Sequence, residues 1–228
     1  MRLQLAIDHG KEHEILAVVE RVAPEVDIVE IGFPMIVTYG LGLVEKIREL
    51  VPSKPLCVDV KVFHGGTGVA SRCFDAGANI VSVLSVAPDP VIEKLVAKAK
   101  TYDGEILCDM SAPARMVAQR TAEVDQLGVD YIMVPTGFKP DYDYDIDKPR
   151  RWSFRPKVRP LDLAGVVTRN AQHAKLALST GIDQTNIRQV IDMNPELIIV
   201  GRAILDQSDN DARAAAAAHL RRFLPYEG

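Results

Sequence analysis

Short apolar runs alternate with longer amphipathic segments along the whole chain, and this alternation predicts repeated strand–helix units. The apolar runs are rich in Val, Ile and Leu, which is typical of strands buried on both faces. They occupy residues 3–8, 26–32, 56–61, 79–85, 105–110, 131–135, 175–180 and 197–201. Between and after them, helices are predicted at roughly 11–22, 39–50, 67–76, 89–100, 113–126, 161–173, 184–192 and 209–223.

Eight such units in 228 residues predict a single α/β domain over 1–228, a (β/α)₈ TIM barrel. A doubly wound open sheet is the rival fold. The regularity of the eight units and the lack of a GxGxxG motif after the first strand both count against that alternative.

One interval between strands is much longer than the others and contains an insertion at 137–160, after strand 6. Loops of this length are usually functional or disordered. A solvated loop is the simplest interpretation. Trp152, Phe154 and several arginines favour a lid or a dimer arm near the barrel mouth.

Charge and composition narrow the possible partners. The net charge of −4 and the pI near 5.8 favour neither nucleic acid nor a membrane surface. No apolar run reaches the length of a membrane span, and the start of the chain lacks a signal-peptide pattern. Three separated cysteines predict reduced buried thiols in a cytoplasmic protein.

Candidate chemistry lies where the predicted strands end, because barrel active sites form at the carboxyl ends of the strands. Five charged residues fall there: Asp8, Glu30, Asp59, Lys61 and Asp109. Buried charges need partners or a metal, so this coincidence predicts a functional site. Glu30 and Asp59 end neighbouring strands, and two such oxygen ligands suit Mg²⁺. A divalent ion there could stabilise an enediolate, and Lys61 could neutralise the same developing oxyanion or shuttle protons.

The ends of the last two strands predict a phosphate site. "LSTGI" and "VGRAI" place Ser179, Gly181, Gly201 and Arg202 where strands 7 and 8 meet their loops. Barrel phosphate sites are built there from backbone N–H groups, and an arginine can add a bidentate contact. The residues therefore predict a barrel that binds a phosphorylated small molecule beside a metal-assisted enolate site.

The segments "LQLAID", "VDIVEIG", "VDVK", "SRCFDAGANIVSVLSVA" and "IVGRAI" resemble the orotidine 5'-monophosphate decarboxylase suprafamily. The resemblance is greatest to its 3-hexulose 6-phosphate synthase and 3-keto-L-gulonate 6-phosphate decarboxylase branch. It implies a homodimeric Mg²⁺-dependent carbon–carbon lyase acting on a keto-sugar or keto-acid phosphate. It further implies that Glu30 and Asp59 hold the metal, that Asp8 and Lys61 orient the substrate, and that Asp109 is the strand-5 acid.

The sequence departs from that family at His64, which replaces the last acid of an Asp-x-Lys-x-x-Asp motif. In the family, that acid commonly reaches into the partner's site. Strand 6 and its loop also differ from the decarboxylases. His64 therefore joins Asp8, Lys61 and Asp109 as a candidate catalytic residue, since imidazole transfers protons near neutral pH. A sugar-phosphate isomerase or epimerase using His64, and a non-catalytic phosphate-binding barrel, remain alternatives.

Overall fold

The computed structural model describes residues 1–136 and 160–225. Eight parallel strands close into a barrel in the order β1 to β8, each paired with its neighbours in the chain and β8 with β1. Their bounds are β1 Arg2–Ile7, β2 Ile28–Ile31, β3 Leu56–Val62, β4 Ile80–Leu84, β5 Glu105–Asp109, β6 Tyr131–Pro135, β7 Lys175–Ser179 and β8 Leu197–Val200. The predicted TIM barrel is therefore confirmed.

Helices follow the strands and cover the outside of the barrel. They are α1 Glu12–Val22, α2 Phe33–Tyr39, α3 Leu41–Leu50, α4 Gly66–Asp75, α5 Asp89–Lys100, α6 Val117–Gln126, α7 Pro160–Asn170, α8 Ile187–Ile191, α9 Arg202–Leu205 and α10 Asn210–Arg221. Two 3₁₀ turns lie at Ala23–Glu25 and Ala114–Met116. None of the helices described is long and apolar enough to cross a membrane.

The structure changes several details of the predicted helices, and those predicted over 113–126 and 184–192 begin later, at Val117 and Ile187. The helix predicted over 39–50 begins at Leu41, because Gly40 has a φ of +67° and separates it from the unpredicted α2. The short α9 was also not predicted. The helix predicted over 161–173 ends at Asn170, where the carboxylate of Asp125 accepts hydrogen bonds from the next backbone N–H groups. Residues 137–159 of the predicted insertion lie outside the described residues.

The core has two layers, as alternation along the strands requires. One face of each strand packs on the helices, for example through Leu3, Leu5 and Ile7 of β1. The other face fills the barrel with Ala6, Ile28, Cys57, Ile80, Leu107, Tyr131, Ala177, Leu197 and Ile199. All three cysteines are buried free thiols, as predicted.

Polar side chains close the amino-terminal end of the barrel. The guanidinium of Arg2 donates to the hydroxyl of Tyr131, which in turn donates to Glu105 at 2.8 Å. Arg2 also donates to Glu196 at 3.3 Å. This network sits below the apolar filling, so the open space of the barrel lies at the carboxyl ends of the strands.

Candidate active site

A pocket of about 1360 Å³ opens at the carboxyl ends of the strands. It brings together nine of the ten predicted site residues: Asp8, Glu30, Asp59, Lys61, Asp109, Ser179, Gly181, Gly201 and Arg202. His64 is the exception. The acids and the lysine lie in β2, β3 and β5 or directly after β1, and the remaining four lie at the ends of β7 and β8.

An irregularity in β3 positions Lys61 at the centre of an acidic group. This acidic group consists of the carboxylates of Asp8, Glu30, Asp59 and Asp109. Two extra residues separate Val58 from Val62 relative to the β4 partners, and Lys61 takes a left-handed φ of +46°. Ser82 of β4 fixes this bulge, because its hydroxyl accepts from the Lys61 N–H at 2.8 Å and donates to Asp59 at 2.6 Å. Bulges near active sites re-aim side chains in this way.

The Lys61 ammonium bridges two carboxylates. Its Nζ lies 3.0 Å from Asp59 Oδ2 and 2.9 Å from Asp109 Oδ2. Burial acts to lower the pKa of Lys61, but the charges of Asp59 and Asp109 outweigh it and raise the pKa above its ordinary value. Lys61 is therefore a fixed positive charge at this point of the pocket.

Glu30 is buried beside the same group without a cation of its own among the described residues. Its Oε2 accepts from Gln4 Nε2 at 2.6 Å, inside the barrel. Burial, followed by the negative charges of Asp59 and Asp8, raises the pKa of Glu30 to about 8. This carboxyl therefore holds its proton at neutral pH when no cation is present.

Asp8 lies between the other carboxylates of the pocket and the loops that follow β7 and β8. A Cβ on Gly32 would collide with the Asp8 carboxylate, and one on Gly201 would come within 3.6 Å of Asp8 Oδ2. Gly32 therefore makes room for Asp8, whereas the distance at Gly201 is an ordinary contact. Desolvation by the surrounding protein is the main cause that raises the pKa of Asp8, and the negative charge of Asp59 is the second.

The donor set suits a hard divalent cation. Asp8, Glu30, Asp59 and Asp109 share one side of the pocket with one lysine, and the pKa values of Asp8 and Glu30 are raised by desolvation and then by the charges of neighbouring carboxylates. No group of three or more His, Cys, Asp or Glu side chains within 1–136 and 160–225 is arranged to hold a metal. Glu30 and Asp59 could therefore supply only part of a Mg²⁺ shell, leaving positions for water and substrate oxygens.

The ends of β7 and β8 form the other wall. Thr180 and Gly181 both have left-handed φ values, +71° and +72°. Asn186 donates to the Gly181 carbonyl at 2.8 Å and accepts from the Asp183 N–H at 3.0 Å, which stiffens this loop. Arg202 begins α9 and lines the pocket on the side of β8.

His64 is exposed and does not line the pocket of its own chain. Its ring meets Phe63 edge-on, with centroids 5.5 Å apart. A direct role for His64 within its own pocket therefore finds no support in the geometry.

Three contributors were not singled out from the sequence. Gln4 is fully buried under Glu30, Ser82 fixes the β3 bulge, and Gly32 makes room for Asp8. A signal for Gln4 was present, because it shares the inward face of β1 with Ala6 and Asp8 and is polar in an apolar run. The roles of Ser82 and Gly32 depend on contacts between strands that the sequence does not display.

Comparison with known proteins agrees with this geometry. The profile of the Orotidine 5'-phosphate decarboxylase / HUMPS family matches residues 1–218. The 3-hexulose-6-phosphate synthase of Bacillus subtilis (strain 168) is 32% identical over 224 residues, covering 98% of this chain and 99% of the relative.

Solved structures agree as well. The crystal structure of 3-hexulose-6-phosphate synthase from Salmonella typhimurium has a TM-score of 0.82 and 26% identity, covering 98% of this chain and 99% of that one. KGPDC from Streptococcus mutans has a TM-score of 0.75, covering 97% of this chain and 95% of that one, and at 20% identity it shows the fold alone.

The barrel, its acid–lysine pocket and these likenesses define the class of the protein as a TIM-barrel carbon–carbon lyase. The chain belongs to the Orotidine 5'-phosphate decarboxylase / HUMPS family.

Proposed function

We propose that the protein is a Mg²⁺-dependent lyase of the 3-hexulose-6-phosphate synthase type, working through an enediolate of a phosphorylated ketose. A 3-hexulose 6-phosphate is a pentulose 5-phosphate extended by one carbon at C1. The reaction would therefore join a one-carbon aldehyde to C1 of the pentulose phosphate, or reverse that step. The observation that carries the proposal is the Lys61 ammonium held by Asp59 and Asp109 beside Glu30.

The roles of the residues follow from their positions. Glu30 and Asp59 would hold Mg²⁺, which when bound supplies Lewis-acid stabilisation of the enediolate oxygens. Lys61 would hold its positive charge against the developing oxyanion, in a setting where such charges act strongly because the pocket is partly closed to water. Asp8 would orient the sugar hydroxyls, and Asp109 would keep Lys61 in place.

The opposite wall would anchor the phosphate. Gly181 and Gly201 let the backbone approach closely, and Ser179 and Arg202 offer donors beside them. Both walls belong to one pocket, so a substrate with a phosphate at one end and a ketose at the other matches its polarity.

We include a homodimer in the proposal. Six large apolar residues are exposed around the loops that follow β2 to β5: Phe33, Val37, Phe63, Val69, Val86 and Met116. A second copy covering this apolar rim would remove it from water. His64 lies within this rim and does not line the pocket of its own chain, so we propose that it acts at the pocket of the partner subunit.

The decisive experiment is a panel of keto-sugar and keto-acid phosphates assayed with Mg²⁺ for aldol cleavage, condensation and decarboxylation. Lys61→Met should lower kcat by about 10²–10³-fold, the usual cost of losing one group that stabilises an oxyanion. Lys94→Met, on the exposed face of α5, is the matched control and should leave turnover unchanged. No turnover by the wild-type chain across the panel, with an active control enzyme, would refute the proposal.

A further inference from the structure

Left-handed backbone at residues other than glycine is rare, and it marks the pocket of this protein. Within the described ranges four such residues occur: Lys61, Asp103, Thr180 and Asn194. Asp and Asn tolerate this conformation, and those two lie in loops before β5 and β8. Lys61 and Thr180 instead line the pocket. For β-branched Thr180 the conformation is a strain of the kind that persists only where surrounding contacts enforce it.

The contacts around Thr180 do enforce it. The Thr136 hydroxyl of the β6 end donates to the Thr180 carbonyl, and the Thr136 N–H donates to the Ser179 carbonyl at 2.7 Å. On the other side, Asn186 holds the carbonyl of Gly181. The chain therefore keeps a threonine in a conformation that glycine would adopt at lower cost.

The hydroxyls of Ser179 and Thr180 have different surroundings. Ser179 is 8% exposed, and its Oγ donates to the sulfur of Met133 at 2.9 Å inside the barrel. Thr180 lines the pocket and is only partly buried. Among residues 1–136 and 160–225, the hydrogen-bond partner of its Oγ1 is Ser179 Oγ at 3.3 Å, a long and weak contact. Its proton can therefore turn to a ligand in the pocket.

We propose that the Thr180 hydroxyl is a substrate-binding group that donates to a phosphate oxygen, held by a strained backbone beside Gly181 and Arg202. The inference rests on the proposed function for the identity of the ligand. It adds a second side-chain hydroxyl to a wall that already contains backbone N–H groups, Ser179 and Arg202, and it explains why a threonine keeps the left-handed conformation at this position.

The test measures binding to the full chain by calorimetry, with inorganic phosphate, D-ribose 5-phosphate and D-ribose as probes. Three variants separate the hydroxyl from the backbone. Thr180→Val keeps the branched shape without the hydroxyl, Thr180→Ser keeps the hydroxyl, and Thr180→Gly removes both the hydroxyl and the strain. A hydrogen bond to a charged oxygen corresponds to about tenfold or more in affinity.

We expect Thr180→Val and Thr180→Gly to bind both phosphate probes about tenfold more weakly, and Thr180→Ser to bind them within about threefold of wild type. Thr180→Gly should unfold at a temperature no lower than wild type. Unchanged phosphate binding by Thr180→Val, weakening confined to the sugar portion, or a marked loss of stability in Thr180→Gly would overturn the inference.

Binding is read without turnover, so the two proposals can fail separately. Phosphate binding that depends on the Thr180 hydroxyl, with no lyase activity on the substrate panel, would uphold the inference and refute the reaction. A wild-type chain that binds neither phosphate probe would overturn the inference and the proposed phosphate wall together.

Discussion

Among single residues of the site, Glu30 is the carboxylate whose negative charge is most disfavoured by its surroundings. It is buried, it faces the charges of Asp59 and Asp8, and its hydrogen-bond partner Gln4 is neutral. Gln4 itself is fully buried, and its Oε1 has no hydrogen-bond partner among the described residues. A carboxyl in this setting is stabilised either by a proton or by a cation, so the charge state of Glu30 should be visible in the stability of the metal-free protein.

The sign of that dependence follows from the direction of the shift. The pKa of Glu30 is about 8 in the folded chain and near its ordinary value of 4.5 when unfolded. Between these values the folded state keeps a proton that the unfolded state releases, so this group lowers stability as pH rises through the window. Glu30→Gln removes the dependence. We expect its Tm in chelator to exceed that of wild type by on the order of 5 °C at pH 8.5 and to approach it near pH 5.

Glu20→Gln, on the exposed face of α1, serves as the control for this pH series. It should follow the wild-type Tm at every pH. A Tm difference between Glu30→Gln and wild type that stays constant from pH 5 to pH 8.5 would contradict the assigned role of Glu30.

At the scale of elements, the strands were predicted well and the helix ends less well. Runs rich in Val, Ile and Leu fix a buried parallel strand, so all eight strands lie within two residues of their predicted bounds. Helix α2 was missed because "FPMIVTY" is short and continuous with an apolar run, where periodicity separates strand from helix poorly. The end of α7 depends on Asp125, a residue far away in the sequence.

Asp125 therefore gives a prediction about an element boundary. Its Oδ1 accepts from the N–H groups of His173 and Ala174 at 3.0 and 2.6 Å, and its Oδ2 accepts from Gln172 at 3.0 Å. Burial opposes ionisation, but these three backbone donors outweigh it and lower the pKa of Asp125. Asp125→Asn would set an NH₂ group against a backbone N–H, so we expect a loss of about 1–3 kcal/mol in unfolding free energy at pH 7.

The unfolding free energy lost in Asp125→Asn should be smaller at acid pH. A lowered pKa contributes stability above the unfolded value, near 3.9, and that contribution disappears as pH falls through the folded pKa. Urea unfolding at pH 7 and at pH 3 measures both points. Asp192→Asn, at an exposed site after α8, is the control and should unfold like wild type. Equal losses for the two variants would show that Asp125 does not hold the end of α7.

The same reasoning separates the predictable from the unpredictable parts of the site. Barrel geometry brings strand ends together, so Asp8, Glu30, Asp59, Lys61 and Asp109 could be assigned to one mouth from the order of the strands. The bulge in β3, the proton on Glu30 and the strain at Thr180 arise from contacts between strands. No periodic pattern in the sequence predicts those contacts.

For the whole molecule, the exposed apolar rim predicts that two copies of the chain form a dimer, and this oligomeric state can be tested. Val37 is 69% exposed on α2 and belongs to the apolar rim of the proposed interface. We expect the wild-type chain to sediment as a dimer and Val37→Asp to sediment as a monomer, because a buried unpaired charge is costly at an interface. Leu50→Asp introduces the same charge at an exposed apolar residue at the end of α3 and should remain dimeric. A monomeric wild type, or a dimeric Val37→Asp, would exclude this interface.

The closed floor of the barrel has a kinetic consequence. Arg2, Tyr131 and Glu105 block the amino-terminal end, and the inward side chains above them leave no second passage in the described part of the chain. Everything that enters the pocket must leave by the same mouth. If the long ketose phosphate spans both walls, a one-carbon aldehyde can reach the acidic wall only past it. Bound sugar phosphate would then slow both the entry and the escape of the aldehyde.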